Sequence, residues 1–101
     1  MRGDDLLKCL TKLSENLDNV TYDSERDKVI FQESGNPFSF VYYQTSTYPY
    51  KGERLNVYVY DNSRQIDKIC VDGQKIYDLY KKVVNRKFYM LENYVNKVIQ
   101  S

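Results

Sequence analysis

Five oxygen-bearing side chains, Asp61, Ser63, Gln65, Asp67 and Asp72, fall at the first, third, fifth, seventh and twelfth places of one stretch, which is the spacing of a calcium loop. A loop of that kind needs glycine at the sixth place to turn sharply and a bidentate glutamate at the twelfth. Ile66 and Asp72 stand there instead, and no helical pattern flanks the stretch. No metal is expected on it. Two carboxylate pairs, Asp4/Asp5 and Asp23/Asp27, sit at a helix start and in a polar turn, where acids cap and reverse the chain.

The rest of the catalytic repertoire is thin. The chain has no histidine, which removes the commonest general base, nucleophile partner and zinc ligand together. Cys9 and Cys70 are far apart in sequence, form no metal-binding spacing, and read as buried thiols. Gly3, Gly35, Gly52 and Gly73 are scattered singly, so no glycine-rich loop can cradle a phosphate. The expectation is a non-enzymatic protein with no catalytic residue, no cofactor and no metal.

Aromatic residues offer a different chemistry. The chain holds 11 tyrosines and no tryptophan. Tyrosine suits interfaces because its ring is apolar while its hydroxyl stays wet. Tyr43, Tyr58 and Tyr60 on two strands, with Tyr48, Tyr50 and Lys51 in the loop between them, are expected to form one aromatic patch that binds another protein. The alternative is a nucleic-acid binder. Residues 74–101 carry Lys75, Lys81, Lys82, Arg86, Lys87 and Lys97 against only Asp78 and Glu92. A basic helix with sheet tyrosines could hold phosphates and stack bases. The whole-chain net charge of +1 is low for that task.

These residues must be held by a framework, and its centre is the stretch from Pro37 to Tyr60. Leu55, Val57 and Val59 alternate with Asn56, Tyr58 and Tyr60, as a strand buried on one face requires. Phe38, Phe40 and Tyr42 alternate with Ser39, Val41 and Tyr43 in the preceding run. The polar stretch 44–53 joins the two runs into a hairpin with a long loop. Residues 20–23 and 28–33 read as a strand pair, and Ile66–Val71 as an edge strand. Leu6, Leu10, Leu13 and Leu17 make one stripe of a helix over 5–18, capped by Asp4 or Asp5 and stopped by a left-handed Asn19. From 74 to 100, Ile76, Leu79, Tyr80, Val83, Met90, Leu91, Tyr94 and Val98 keep to one side of a second helix, which Asn85 could break.

The predicted fold is α+β, one domain over residues 1–101. An antiparallel sheet of four or five strands is flanked on one face by an N-terminal and a long C-terminal helix, in the order α-β-β-β-β-β-α. Homodimerisation through the edge strand or the wide apolar face of the last helix is also expected. No apolar run reaches about 18 residues, and the acidic start is unlike a signal peptide, so a cytoplasmic location is expected, in the host cytoplasm if the chain is viral.

In element order the α-β-β-β-α core resembles a double-stranded-RNA-binding domain, without that family's basic second-helix start or GPxH-like loop. In composition and size the chain is similar in kind to phage-encoded anti-defence proteins, such as anti-CRISPR inhibitors, and to toxin-immunity proteins. That resemblance implies a small inhibitor or accessory protein acting through its tyrosine-rich surface.

Overall fold

The computed structural model describes all of residues 1–101. Helix α1 spans Gly3–Ser14, a single 3-10 turn spans Leu17–Asn19, and five strands follow: β1 Val20–Asp23, β2 Lys28–Phe31, β3 Phe38–Tyr43, β4 Arg54–Asp61 and β5 Arg64–Asp72. Helix α2, Gly73–Gln100, closes the chain. The strands form one antiparallel sheet in the order β1-β2-β3-β4-β5. Every strand pairs with its neighbour in sequence.

Strand alternation sorts the side chains into two faces. Register pairs Val20 with Phe31, Phe31 with Phe40 and Phe40 with Val59, forming one inward row. Tyr22, Val29 and Tyr42 form a second, and Val57 with Ile69 and Leu55 with Val71 continue the inner face. Both helices lie on this face. Leu6, Leu7 and Leu10 of α1 and Ile76, Leu79, Tyr80, Val83 and Val84 of α2 complete one core cluster of 17 buried residues. Burying a Val, Leu, Ile or Phe side chain is worth about 1.5–3 kcal/mol, so this single layer supplies most of the driving force.

The junction between β5 and α2 has no connecting loop. Asp72 ends the strand and caps the helix, its Oδ1 accepting from the Lys75 backbone N–H at 3.0 Å. Gly73 fits there because nothing larger would: a Cβ would lie 2.7 Å from the Glu53 carbonyl oxygen and 3.2 Å from Pro49 Cβ. The Gly73 N–H donates to that same carbonyl at 2.7 Å.

Several local expectations are corrected. Helix α1 begins earlier and stops at Ser14, with Leu17 delivered to the core by the 3-10 turn. Its N-cap residue is Arg2, without a side-chain cap, and Asp4 and Asp5 lie inside the first turn, where they complement the helix dipole. Asn19 is not left-handed; its side-chain amide donates to the Leu13 carbonyl at 3.0 Å and ties off the helix. Cys9 and Cys70 are both exposed, because each sits on the outward side of its element. The calcium-like spacing is consumed by the β4–β5 hairpin, where Asp61 pairs with Arg64 across a two-residue turn and Asn62 takes φ 54°. An extended strand cannot converge those oxygens on one point.

The largest departure concerns α2. It is continuous through Asn85, yet every residue from Phe88 onward is exposed. Met90, Leu91, Tyr94 and Val98, read from sequence as core-facing, hang beyond the sheet. The molecule measures 48 × 34 × 24 Å with a radius of gyration of 14.5 Å. A compact chain of this length would have about 13 Å. The overhang accounts for the difference.

Candidate interaction surfaces

The helices leave the other face of the sheet uncovered, and its side chains follow from register. One row runs Thr21, Ile30, Val41, Tyr58, Lys68, and a second runs Asp23, Lys28, Tyr43. Ser39 pairs with Tyr60, and Tyr60 with Gln65. Tyr43 and Tyr58 meet edge to face with ring centroids 5.8 Å apart, a favoured aromatic geometry. Lys28 Nζ stands 5.6 Å from the Tyr43 ring centre, within cation–π range. Val41 and Ser39, the cross-strand partners of Tyr58 and Tyr60 on this face, are buried. The result is a braced aromatic platform with a lysine on either side.

The single patch expected from sequence is divided by the sheet. Tyr43, Tyr58 and Tyr60 share the open face. Tyr48 lies on the helix side, edge to face with Tyr77 at 5.1 Å, its hydroxyl donating to Asp78 Oδ1 at 3.3 Å. Pro49, buried beside Gly73, pulls the loop over the start of α2, and Gln74 Nε2 donates to the Pro49 carbonyl at 3.1 Å. Tyr50 and Lys51 are exposed at the tip, with the Tyr50 N–H anchored on Glu53 Oε1 at 3.1 Å.

The basic residues of α2 are dispersed as well. Lys75, Lys82 and Arg86, spaced by seven and four residues, fall along one strip away from the sheet. Arg86 is engaged, its Nη1 donating to the Ser14 carbonyl at the end of α1 at 3.4 Å, where a cation suits the negative end of the dipole. Lys81 occupies another side, and Lys87 is half-buried at the sheet edge. Helix α2 packs on the opposite face of the sheet from Tyr43, Tyr58 and Tyr60, so its lysines and the platform do not form one continuous surface. The open groove of about 730 Å³ between the helices mixes Lys8, Lys12 and Lys75 with Asp4, Glu15 and Asp78, and its charges cancel.

A polar cluster missed in the sequence sits at the edge of the core. Asp27, left-handed at φ 50°, accepts from Tyr22 at 2.9 Å and Tyr80 at 2.6 Å, and Gln44 Nε2 donates to the Tyr80 hydroxyl at 2.8 Å and to the same carboxylate. Burial, then the bond to Asp27, raises the Tyr80 phenol, and for Tyr22 the bond to Asp27 leads. Burial pushes Tyr42 up to about 12; its hydroxyl has no hydrogen-bond partner, Thr45 lying near without meeting the required geometry. Phenols held neutral in this way are poor bases and nucleophiles, and their hydrogen bonds tie the β1–β2 turn to α2. Lys28, Ile30 and Lys68 were also missed, although the alternation in β2 and β5 was a usable signal. No family model, curated protein or solved structure matches this chain.

Proposed function

We propose that the chain is a non-enzymatic protein-binding module whose recognition surface is the open face of the sheet, centred on Tyr43, Tyr58 and Tyr60. What supports the reading is the pre-formed platform itself: rings braced at 5.8 Å, on rigid strands, beside buried Val41. Rigid aromatic anchors contribute contact area at little entropic cost. Lys28 and Lys68 on either side fit a partner surface with an acidic rim. The form we favour is a small inhibitor or accessory protein of phage or mobile-element type, which occupies a partner instead of acting on a substrate. Tyr50 and Lys51 at the loop tip are a secondary contact in this reading.

The test is capture of a partner protein by the unmutated chain and by Tyr58→Ser with Tyr60→Ser, with nuclease treatment in both arms. Capture should resist nuclease and fall more than tenfold in the variant, while circular dichroism remains that of the folded chain. Equal capture by both, or recovery of nucleic acid alone, would remove the platform as the site.

A further inference from the structure

The overhang of α2 presents an apolar face that the fold does not use. Phe88, Leu91, Val95 and Val98 follow one another at three, four and three residues, flanked by Met90, Tyr94 and Ile99. All seven are between 44% and 73% exposed. The spacing is the heptad seam of a two-helix coiled coil. Leu91 and Val98 stand eleven and eighteen residues beyond Tyr80, close to whole numbers of turns, so this face continues the one that packs on the sheet. Phe88 meets Tyr22 of the edge strand β1 edge to face at 6.0 Å, and every residue after it is exposed. Beyond it the helix runs on for about 18 Å at 1.5 Å per residue, with open space beneath.

We infer that this niche is filled by the same segment of a second copy, so that two overhangs pack antiparallel about a twofold axis beside Asn93. Shape fixes the direction. In a parallel pair both sheets would lie between the two helices, holding the seams about 20 Å apart, given the roughly 10 Å spacing of packed layers. In an antiparallel pair each overhang enters the space past the other's β1. The seam is symmetric for that arrangement: Phe88 opposes Val98 and Leu91 opposes Val95, both pairs centred on Asn93, with a large side chain facing a small one. Met90 points away from the seam, and roughly 100 Å² on each of the other six side chains amounts to about 600 Å² per copy. That is about the lower limit of a standard interface, roughly 600 Å² per partner. Glu92 meets its own copy only at the wet rim, where salt screens it.

Sedimentation equilibrium of the full chain should give a dimer with a Kd of about 1 μM or tighter. Leu91→Glu with Val95→Glu should weaken it at least a hundredfold, and the circular dichroism of the body should persist because neither side chain touches the core. Orientation is read by disulfide trapping after Cys9→Ser and Cys70→Ser. A Phe88→Cys chain mixed with a Val98→Cys chain should cross-link between types, and neither should cross-link with itself. A monomer throughout the concentration range, an unweakened dimer in the double variant, or same-type cross-links would each overturn the inference. So would capture of a foreign helix by an overhang that does not self-associate.

Discussion

The hydroxyl of Tyr80, two turns into α2, donates to the carboxylate of Asp27 in the β1–β2 turn at 2.6 Å. Fifty-three residues separate them. Tyr22 and Gln44 complete the carboxylate's shell, so one acid joins a turn, the end of β3 and the helix. Replacing Asp27 with Ala would leave the Tyr22 and Tyr80 hydroxyls without their acceptor and would place at φ 50° a residue lacking the short polar side chain that lets Asp adopt the left-handed region. A loss of about 2–4 kcal/mol is expected by urea denaturation. Tyr80→Phe should cost about 1–2 kcal/mol. A double-mutant cycle should show coupling between the two sites, and strict additivity would contradict a shared network.

Tyr42 should behave in the opposite way at neutral pH. Its buried hydroxyl lacks a partner, so Tyr42→Phe removes a desolvated polar group while keeping the ring. The variant is expected to be more stable, by about 1 kcal/mol, in the same denaturation experiment. A loss of similar size would mean that the hydroxyl is satisfied in solution.

Alkali should unfold the protein through these phenols. The unfolded chain releases their protons near 10.0, whereas Tyr42 in the fold is pushed up to about 12 and Tyr80 is also raised. Above pH 10 the unfolded state therefore binds fewer protons than the native one, and stability falls as pH rises. The contribution is fully present below pH 10 and is lost toward pH 12. Denaturation midpoints measured from pH 8 upward should drop beyond pH 10, less steeply in Tyr42→Phe.

Gly73→Ala tests the strand-to-helix junction. The added methyl would lie 2.7 Å from a backbone carbonyl, which cannot swing aside as a side-chain end can. Destabilisation of about 1–3 kcal/mol is expected. A neutral result would show that the 49–53 loop yields.

Both thiols should react with a maleimide in the native state, since Cys9 and Cys70 are exposed. Labelling of only one, or only after denaturation, would contradict their placement.

The hairpin of β3 and β4 was legible because alternation reports burial on one face directly: Phe40 and Tyr42 pack inward as their period required, while Phe38, on the same side at the strand's start, stays 44% exposed. Helix α2 shows where that logic fails. Its period is the same on and off the sheet, so Tyr80 and Leu91 look alike in sequence, although one is buried and the other hangs free. Period reports the side of a helix, not its neighbour. The tyrosine patch failed for a similar reason: Tyr48 is near Tyr43 along the chain, but Pro49 docking on Gly73 draws it to the far face. The cysteines read as buried from residue type alone, which says little at the margin of an amphipathic helix.

The strictly sequential strand order bears on how the chain reaches this state. Each hairpin closes over a short stretch, the longest being residues 44–53, so pairing can zip from neighbour to neighbour with little loop entropy to overcome. Only the seating of the two helices joins distant parts of the chain. Pairings between neighbouring strands need less chain to be closed before they form than pairings between distant ones, which favours faster folding. The Asp27–Tyr80 tie, which spans 53 residues, belongs to the part of the structure that pairing of neighbouring strands alone cannot form.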